Sequence, residues 1–351
     1  MGVFRFANAV SDMGKFINTY KVIYKNLKDA SDFNHDDARD VLIRHSLVSS
    51  SGAIGQEAVN RSVRDDRSLD PLYNQVKMYS EVFRMLGWYK PSISRGDFSF
   101  THLSEYVAEA DINLSKKLFE FSVKHIVAPN PLVEIKGGNL LRPFPFILKL
   151  MHHSDGVLTR DEMIVTILNC QSDREESYFE AALEKVSSLR KNYSRIGEAL
   201  NEIMISNKIS KPTLENYTRF PLGTLKYLNW ANPARSREIY PNKTVNGYFI
   251  TDYGIEQSER IQSKVDIRHD EILRFDISIR AAFTLLMLYR NLEELEYDLG
   301  DDLLDCLKKL DVQCAPLLDK FGIRNSRDIL YSPIQESSFE EIEFAEKMTN
   351  D

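Results

Sequence analysis

Between residues 142 and 257 the apolar positions change period in a definite order. Arg142-Pro143-Phe144-Pro145-Phe146-Ile147-Leu148 enters through prolines and sets apolar side chains on neighbouring turns, which predicts a short helix over 142–151. Gly156-Val157-Leu158 predicts a short extended link. Thr159-Arg160-Asp161-Glu162 then has the spacing of a capping box, the Thr159 hydroxyl taking a free backbone N–H while Glu162 reaches back, so a second helix starts there and runs to about Leu168. Residues 213–230 read as a third helix or a broken pair, with Pro221 placed where a helix can begin. Over 232–251 turn residues alternate with the β-favouring run Gly247-Tyr248-Phe249-Ile250-Thr251, which predicts a hairpin. Helix, short strand, helix, helix, hairpin is the winged-helix order, in which the third helix enters the DNA major groove and the hairpin touches the backbone or minor groove.

The N-terminal half carries a fainter version. Phe16, Ile17, Tyr20, Val22, Ile23, Tyr24 and Leu27 lie mostly on one broad face of a helix over Met13–Leu27, and further helices are predicted over 36–45 and 56–63. The clearest period follows at 71–86, where Leu72, Val76, Tyr79, Phe83 and Leu86 recur at three and four residues. Its other face carries Asn74, Gln75, Lys77, Met78, Glu81 and Arg84, and Asn, Gln, Lys and Arg are the types that read base edges or hold phosphate. Gly87-Trp88-Tyr89, a turn-rich tip over 91–96, and Asp97-Phe98-Ser99-Phe100-Thr101 then predict a hairpin. Phe98, Phe100, Thr101 and Ser104 match Tyr248, Ile250, Thr251 and Gly254 at one constant spacing, a weak repeat.

The fold expected is therefore mainly α (α+β), with tandem winged-helix subdomains, helical linkers and a C-terminal helical region. Its divisions are 1–112 (N-terminal helices and the first unit), 113–141 (linker), 142–257 (the second unit with a helical insertion over 173–206) and 258–351 (helical). Within the last, 277–297 holds too many apolar residues for an exposed helix and must bury against something.

Composition changes the picture in two places. No apolar run approaches the ~20 residues that span a bilayer, and the N-terminus lacks the apolar core of a secretory signal, so a cytoplasmic protein with no membrane partner is expected. Cys170, Cys306 and Cys314 show no Cys-x-x-Cys spacing and predict neither a disulfide framework nor a zinc site. The net charge of -7 argues against a nucleic-acid partner until it is divided by segment: residues 257–351 carry 12 Lys+Arg against 21 Asp+Glu. Between residues 205 and 247, Lys208, Lys211, Arg219, Lys226, Arg235, Arg237 and Lys243 face only Glu215 and Glu238, so local charge is positive along the predicted third helix and hairpin.

Taken in order, three pieces resemble the DNA-recognition region of Type IIS restriction endonucleases and nicking endonucleases, the FokI and AlwI-like group. They are Phe83-Arg84-Met85-Leu86-Gly87-Trp88 into Phe98-Ser99-Phe100-Thr101, Arg142 to Leu148 into Leu158-Thr159-Arg160-Asp161-Glu162, and Tyr217-Thr218-Arg219-Phe220 followed by Gly247 to Thr251. The resemblance covers about residues 70–260. It implies a reader of duplex DNA joined to a separate Mg²⁺-dependent nuclease domain. The chain ends where that domain is expected, so cleavage falls to another domain or subunit, or the protein only binds.

Chemistry within the chain is sparse. A restriction-type nuclease site needs two carboxylates and a lysine, and Asp111 with Glu134-Ile135-Lys136 is the one partial match, on a helical run and a connector rather than on adjacent strands. His152 and His153 end a helix with diverging side chains, and no catalytic residue and no bound metal or cofactor is assigned to this chain. The DNA contacts expected are Asn74, Gln75, Lys77 and Arg84 on the first reading helix, Asn216, Arg219 and Lys226 on the second, and Arg235, Arg237 and Lys243 at the second hairpin. Arg219 or Arg237 suits bidentate contact with guanine, and the lysines suit phosphate. Two alternatives stand beside this one: a DNA-binding regulator dimerising through 277–297, and a self-contained nuclease using Asp111, Glu134 and Lys136.

Overall fold

The computed structural model describes residues 3–320 apart from 8–10, 48, 51–52, 62–69, 93–96, 129, 131, 134–138, 140, 174, 242, 262–273 and 295–301. Helices dominate, with small antiparallel sheets between them. Helix α1 (Met13–Leu27) starts at Asp12, whose carboxylate accepts the Lys15 N–H. Phe33 forms an antiparallel bridge with Phe98, and α2 (His35–Arg44) begins at once through a capping box between Asn34 and Asp37. Strands β1 (Ser49–Ser50) and β2 (Ala53–Ile54), helix α3 (Gly55–Arg61) and helix α4 (Pro71–Met85) follow. Asp70 caps α4, and Pro71 occupies the first turn, where its missing N–H costs nothing. The hairpin of β3 (Tyr89–Pro91) and β4 (Phe98–Phe100) leads into α5 (His102–Glu109).

After α6 (Ile112–Lys124) the order recurs on a larger scale. Helix α7 (Pro143–His153), strand β5 (Val157–Thr159) and α8 (Arg160–Thr166) come first, with the capping box of Thr159 and Glu162 in place. Helices α9 (Glu176–Lys191), α10 (Ser194–Asn207) and α11 (Lys211–Tyr217) precede α12 (Arg219–Tyr227). The stretch 213–230 is thus a broken pair, with the break at Thr218 and Pro221 inside the first turn of α12, where backbone donors have no intrahelical partner anyway. Strands β6 (Ala231–Tyr240) and β7 (Lys243–Ile250) form the long hairpin before α13 (Asp252–Ile261), and β7 lies between β5 and β6 in one sheet.

The two halves share a hydrogen-bond pattern residue for residue. Gly87 and Asn229, both with positive φ, end α4 and α12, and Trp88 and Trp230 donate their N–H groups back to Phe83 and Leu225. Thr101 and Thr251 donate their backbone N–H groups to the carbonyls of Trp88 and Trp230 at 3.2 and 3.0 Å, and their hydroxyls to the carbonyls of Gly87 and Asn229 at 2.7 and 2.6 Å. Phe33 against Phe98 and Leu158 against Tyr248 supply the third strand position in each. Carried back along the helices at the spacing of Gly87 to Asn229, which differs from that of Thr101 to Thr251, Asn74, Lys77, Glu81 and Arg84 of α4 correspond to Asn216, Arg219, Gly223 and Lys226.

A continuous apolar core joins the halves. Trp88 donates its indole N–H to Ser122 and Trp230 donates its own to Glu120, so both tryptophans terminate on α6. Phe16 lies within 6.1 Å of the rings of Phe83, Trp88 and Phe220, each such pair adding about 0.5–1.5 kcal/mol beyond buried area. The N-terminal segment threads the same seam: the Phe4 N–H donates to the Leu168 carbonyl and Phe6 packs on Phe144 and Phe220.

Helices α14 (Ile277–Glu294) and α15 (Asp302–Lys320) pack against one another and against the first half. Phe283, Leu286, Tyr289 and Leu292 are buried within this one chain. The burial expected of 277–297 is met within this one chain over the described part, Ile277–Glu294: the Tyr289 hydroxyl accepts the Leu103 N–H, and Leu288 lies against Gly87. No helix among the described residues is long and apolar enough to cross a membrane. The acidic stretch near the C-terminus, 340–346, lies outside the described residues.

Candidate nucleic-acid interface

Helix α12 buries Phe220, Leu222, Leu225 and the following Leu228, which fixes the side it turns outward. Arg219, Gly223 and Lys226 follow one another along that outward side at four and three residues. The side chains of Arg219 and Lys226 are exposed. At Gly223 the chain before α1 crosses closely, since a Cβ there would lie 2.4 Å from the Ser11 carbonyl oxygen. Tyr227 is half-buried beside it, and Lys116 of α6 holds its ammonium 5.2 Å from the Tyr227 ring centre. Lys116 was not among the residues the sequence singled out, because nothing local marks that α6 runs alongside α12. Burial, with Asp12 nearby, raises the Tyr227 pKa, keeping the phenol neutral.

The long hairpin carries further exposed cations. Asn232, Pro233, Ala234, Arg235, Arg237 and Glu238 of β6 are all exposed, so both faces of this edge strand are open, and Pro233 blunts it against pairing. Arg235 stands opposite Asn246, and the register shifts between Ser236 and Tyr240, the stretch that holds Arg237. The Arg237 Nε donates to the Thr244 hydroxyl at 2.9 Å across the hairpin. Lys243 rests its ammonium 3.4 Å from the centre of the Tyr193 ring, and Tyr193 packs edge-on against Tyr240. The hairpin is thus held against the α9–α10 insertion. Below it, Tyr240 donates its hydroxyl proton to Glu162 at 2.8 Å, and burial next to that carboxylate pushes the Tyr240 pKa far up.

The first half presents a different face. Lys77 is exposed, while Asn74, Gln75 and Arg84 are half-buried. Gln75 donates to the Tyr79 hydroxyl at 3.2 Å, and Arg84 lies over the Phe98 ring at 5.2 Å with its Nε donating to the Ser80 carbonyl. Glu81, which the period placed on the open face, is buried and takes both its hydrogen bonds from Arg5, at 2.9 and 3.1 Å. Arg219 and Lys226 are thus exposed on α12, and Arg235, Arg237 and Lys243 are exposed on the β6–β7 hairpin, while Asn216 is half-buried on α11 and of the α4 candidates Lys77 alone is exposed.

Of the candidate nuclease residues, Asp111 alone lies among the described residues. Asp111 is the cap of α6, its Oδ1 accepting the N–H groups of Asn113 and Leu114, which hold its pKa down. Glu134 and Lys136 lie outside the described residues. His152 Nδ1 pairs with the Ser258 hydroxyl, whereas His153 Nδ1 donates to the Lys149 carbonyl. Their rings lie 5.2 Å apart at 37°, closer than the diverging pair expected. Among the described residues no group of three His, Cys, Asp or Glu side chains is disposed to hold a metal ion. Cys170 and Cys314 are free, buried thiols whose pKa values burial raises to about 11 and about 12.

No family model matches the chain. No curated protein matches it either. The chain has a distant structural likeness to the restriction endonuclease FokI, with a TM-score of 0.38 at 12% identity, covering 99% of this chain and 61% of that one. Against FokI bound to DNA the TM-score is 0.37 at 13% identity, over 89% of this chain and 60% of that one. The chain thus spans about 61% of the length of the FokI chain.

Proposed function

We propose that the chain is a sequence-specific recognition module for double-stranded DNA, of the kind that serves a Type IIS-like restriction endonuclease. Its two similar halves are read as winged-helix units. The observation that carries this is the pairing of exposed Arg219 and Lys226 on α12 with a projecting hairpin that carries Arg235, Arg237 and Lys243. Support for the fold comes from the order α7, β5, α8, α12, hairpin, with β7 central in the sheet. In this geometry α12 enters the major groove from its N-terminal end, where Arg219 reaches base edges, and the hairpin cations lie along the phosphates. Lys243 exchanges the Tyr193 ring for a phosphate at little cost, because both hold the ammonium by electrostatics.

Cleavage is assigned to a Mg²⁺-dependent nuclease domain or subunit elsewhere, on the strength of the sequence resemblance. The test is binding of the chain to a panel of duplexes at two salt concentrations. A preferred asymmetric sequence, with affinity falling as salt rises, is expected. Equal binding to all duplexes, or none at all, removes the proposal. A palindromic preference replaces it with a dimeric regulator, and Mg²⁺-dependent cutting lost in Glu134→Ala replaces it with a self-contained nuclease.

A further inference from the structure

We infer that the two halves have divided their work: the second meets duplex DNA, while the first, built on the same hydrogen-bond plan, is a support whose matching face is closed. This rests on the DNA-recognition reading above. Position by position, Lys77, Glu81 and Arg84 of α4 correspond to Arg219, Gly223 and Lys226 of α12. The centre of the α12 face is Gly223, where the chain's own Ser11 segment crosses without adding a charge, and Arg219 and Lys226 on either side of it stay exposed. The centre of the α4 face is a carboxylate locked to Arg5 by two hydrogen bonds. Putting α4 into a groove would separate that pair and set a half-desolvated anion against phosphate, a like-charge contact. Met85 beside it is buried as well, its carbonyl accepting from Asn130 at 3.4 Å.

Two further differences point the same way. The N-terminal end of α4 opens on a cleft of about 750 Å³ lined by Asp37, Asp40 and Asp70 together with Arg39 and Arg44. Arg39 is already committed there, bridging Asp36, Asp40 and Asp70 at 3.2, 3.4 and 3.8 Å. At this end of the helix, which a reading helix turns toward the bases, Arg39 is thus held by carboxylates of the chain itself. The hairpins differ too. The strands of the first are three residues long, and a Cβ on Gly87 at its base would lie 2.6 Å from Leu288 of α14. Those of the second are ten and eight residues long and open on both faces of β6.

The experiment compares matched substitutions in the full chain, reading the affinity for a fluorescent mixed-sequence duplex across a salt series. Arg219→Glu and Lys226→Glu are expected to weaken binding about tenfold or more, and the neutral Lys226→Gln to lower the salt slope by about one. Lys77→Glu, on an exposed site, is expected to change affinity by less than about twofold. Lys77→Gln is expected to leave the salt slope where it was. A loss from Lys77→Glu equal to that from Arg219→Glu overturns the division of work while leaving DNA recognition intact. Failure of the unsubstituted chain to bind any duplex removes the recognition proposal itself and this inference with it.

Discussion

The Arg190 Nε donates to the Glu162 carboxylate at 2.8 Å, and that carboxylate is fully buried. Glu162 does three things at once: it closes the capping box of α8 on the Thr159 N–H, receives Arg190 from α9, and accepts the Tyr240 hydroxyl from the hairpin. Arg190 also donates to the carbonyls of Ser154 and Val157. The insertion is thereby bonded both to the start of α8 and, through Glu162, to the base of the hairpin.

Arg190→Met is expected to destabilise the fold by about 3–5 kcal/mol, because it strands a buried carboxylate without its cation. Tyr240→Phe removes one hydrogen bond to the same charge and is expected to cost about 1.5–3 kcal/mol. Urea unfolding of the two variants checks this order. Equal, small losses would show that Glu162 does not depend on Arg190.

At Gly223 the neighbour is backbone rather than a movable side chain, with the Ser11 carbonyl carbon 3.1 Å from a Cβ placed there. Gly223→Ala is expected to push the Ser11 segment off α12 and to cost about 1–3 kcal/mol, as overpacking does. Gly197, whose Cβ would meet nothing within 4 Å, is the control. Gly197→Ala lies inside α10 and is expected to stabilise by about 0.5–1 kcal/mol. Thermal melts of the pair separate a steric effect from helix propensity.

Burial, with Arg84 and Lys77 nearby, lowers the His35 pKa to about 4, and its Nε2 is buried with no hydrogen-bond partner. The unfolded chain binds a proton at this imidazole near pH 6.5, whereas the folded chain does not until about pH 4. Stability is therefore lost as pH falls through that window and is unaffected by this group above it. His35→Phe, which keeps the ring against Tyr73 and Phe98, is expected to flatten the fall. Melting temperatures of both proteins from pH 7 to pH 4 test this, and parallel curves would reject it.

Thr101 and Thr251 each donate a hydroxyl proton to the carbonyl just before a tryptophan. Thr101→Val and Thr251→Val are expected to destabilise by about 0.5–2 kcal/mol each, since each loses that bond and a helix-start acceptor. Denaturant midpoints compare them. A neutral Thr251→Val would show that the two hairpins are not held alike.

Much of the architecture was legible because its signals are local. Residues 13–27 and 71–85 alternate at helical spacing, and Thr159 with Glu162 announced a helix start that the structure places at Arg160. The order of faces was harder. Glu81 sits on the polar side of α4 by period, yet it is buried because Arg5, distant in sequence, arrives to neutralise it. Arg84 had the right chemistry for a phosphate and instead found the Phe98 ring. The period tells which residues avoid the helix's own core, and says nothing of a second surface brought by tertiary packing. The fuller repeat, with Gly87 matched to Asn229, leaves no mark in residue type, since the shared property is a left-handed backbone rather than a side chain.

Trp88 and Trp230 end on a single helix, two residues apart along α6. The angle between the halves is consequently set during folding by one shared rod rather than by a flexible tether. Whatever grips α12 and its hairpin meets a body already stiff in its inter-lobe orientation, and no further rotational freedom of one lobe against the other needs to be frozen at the moment of encounter.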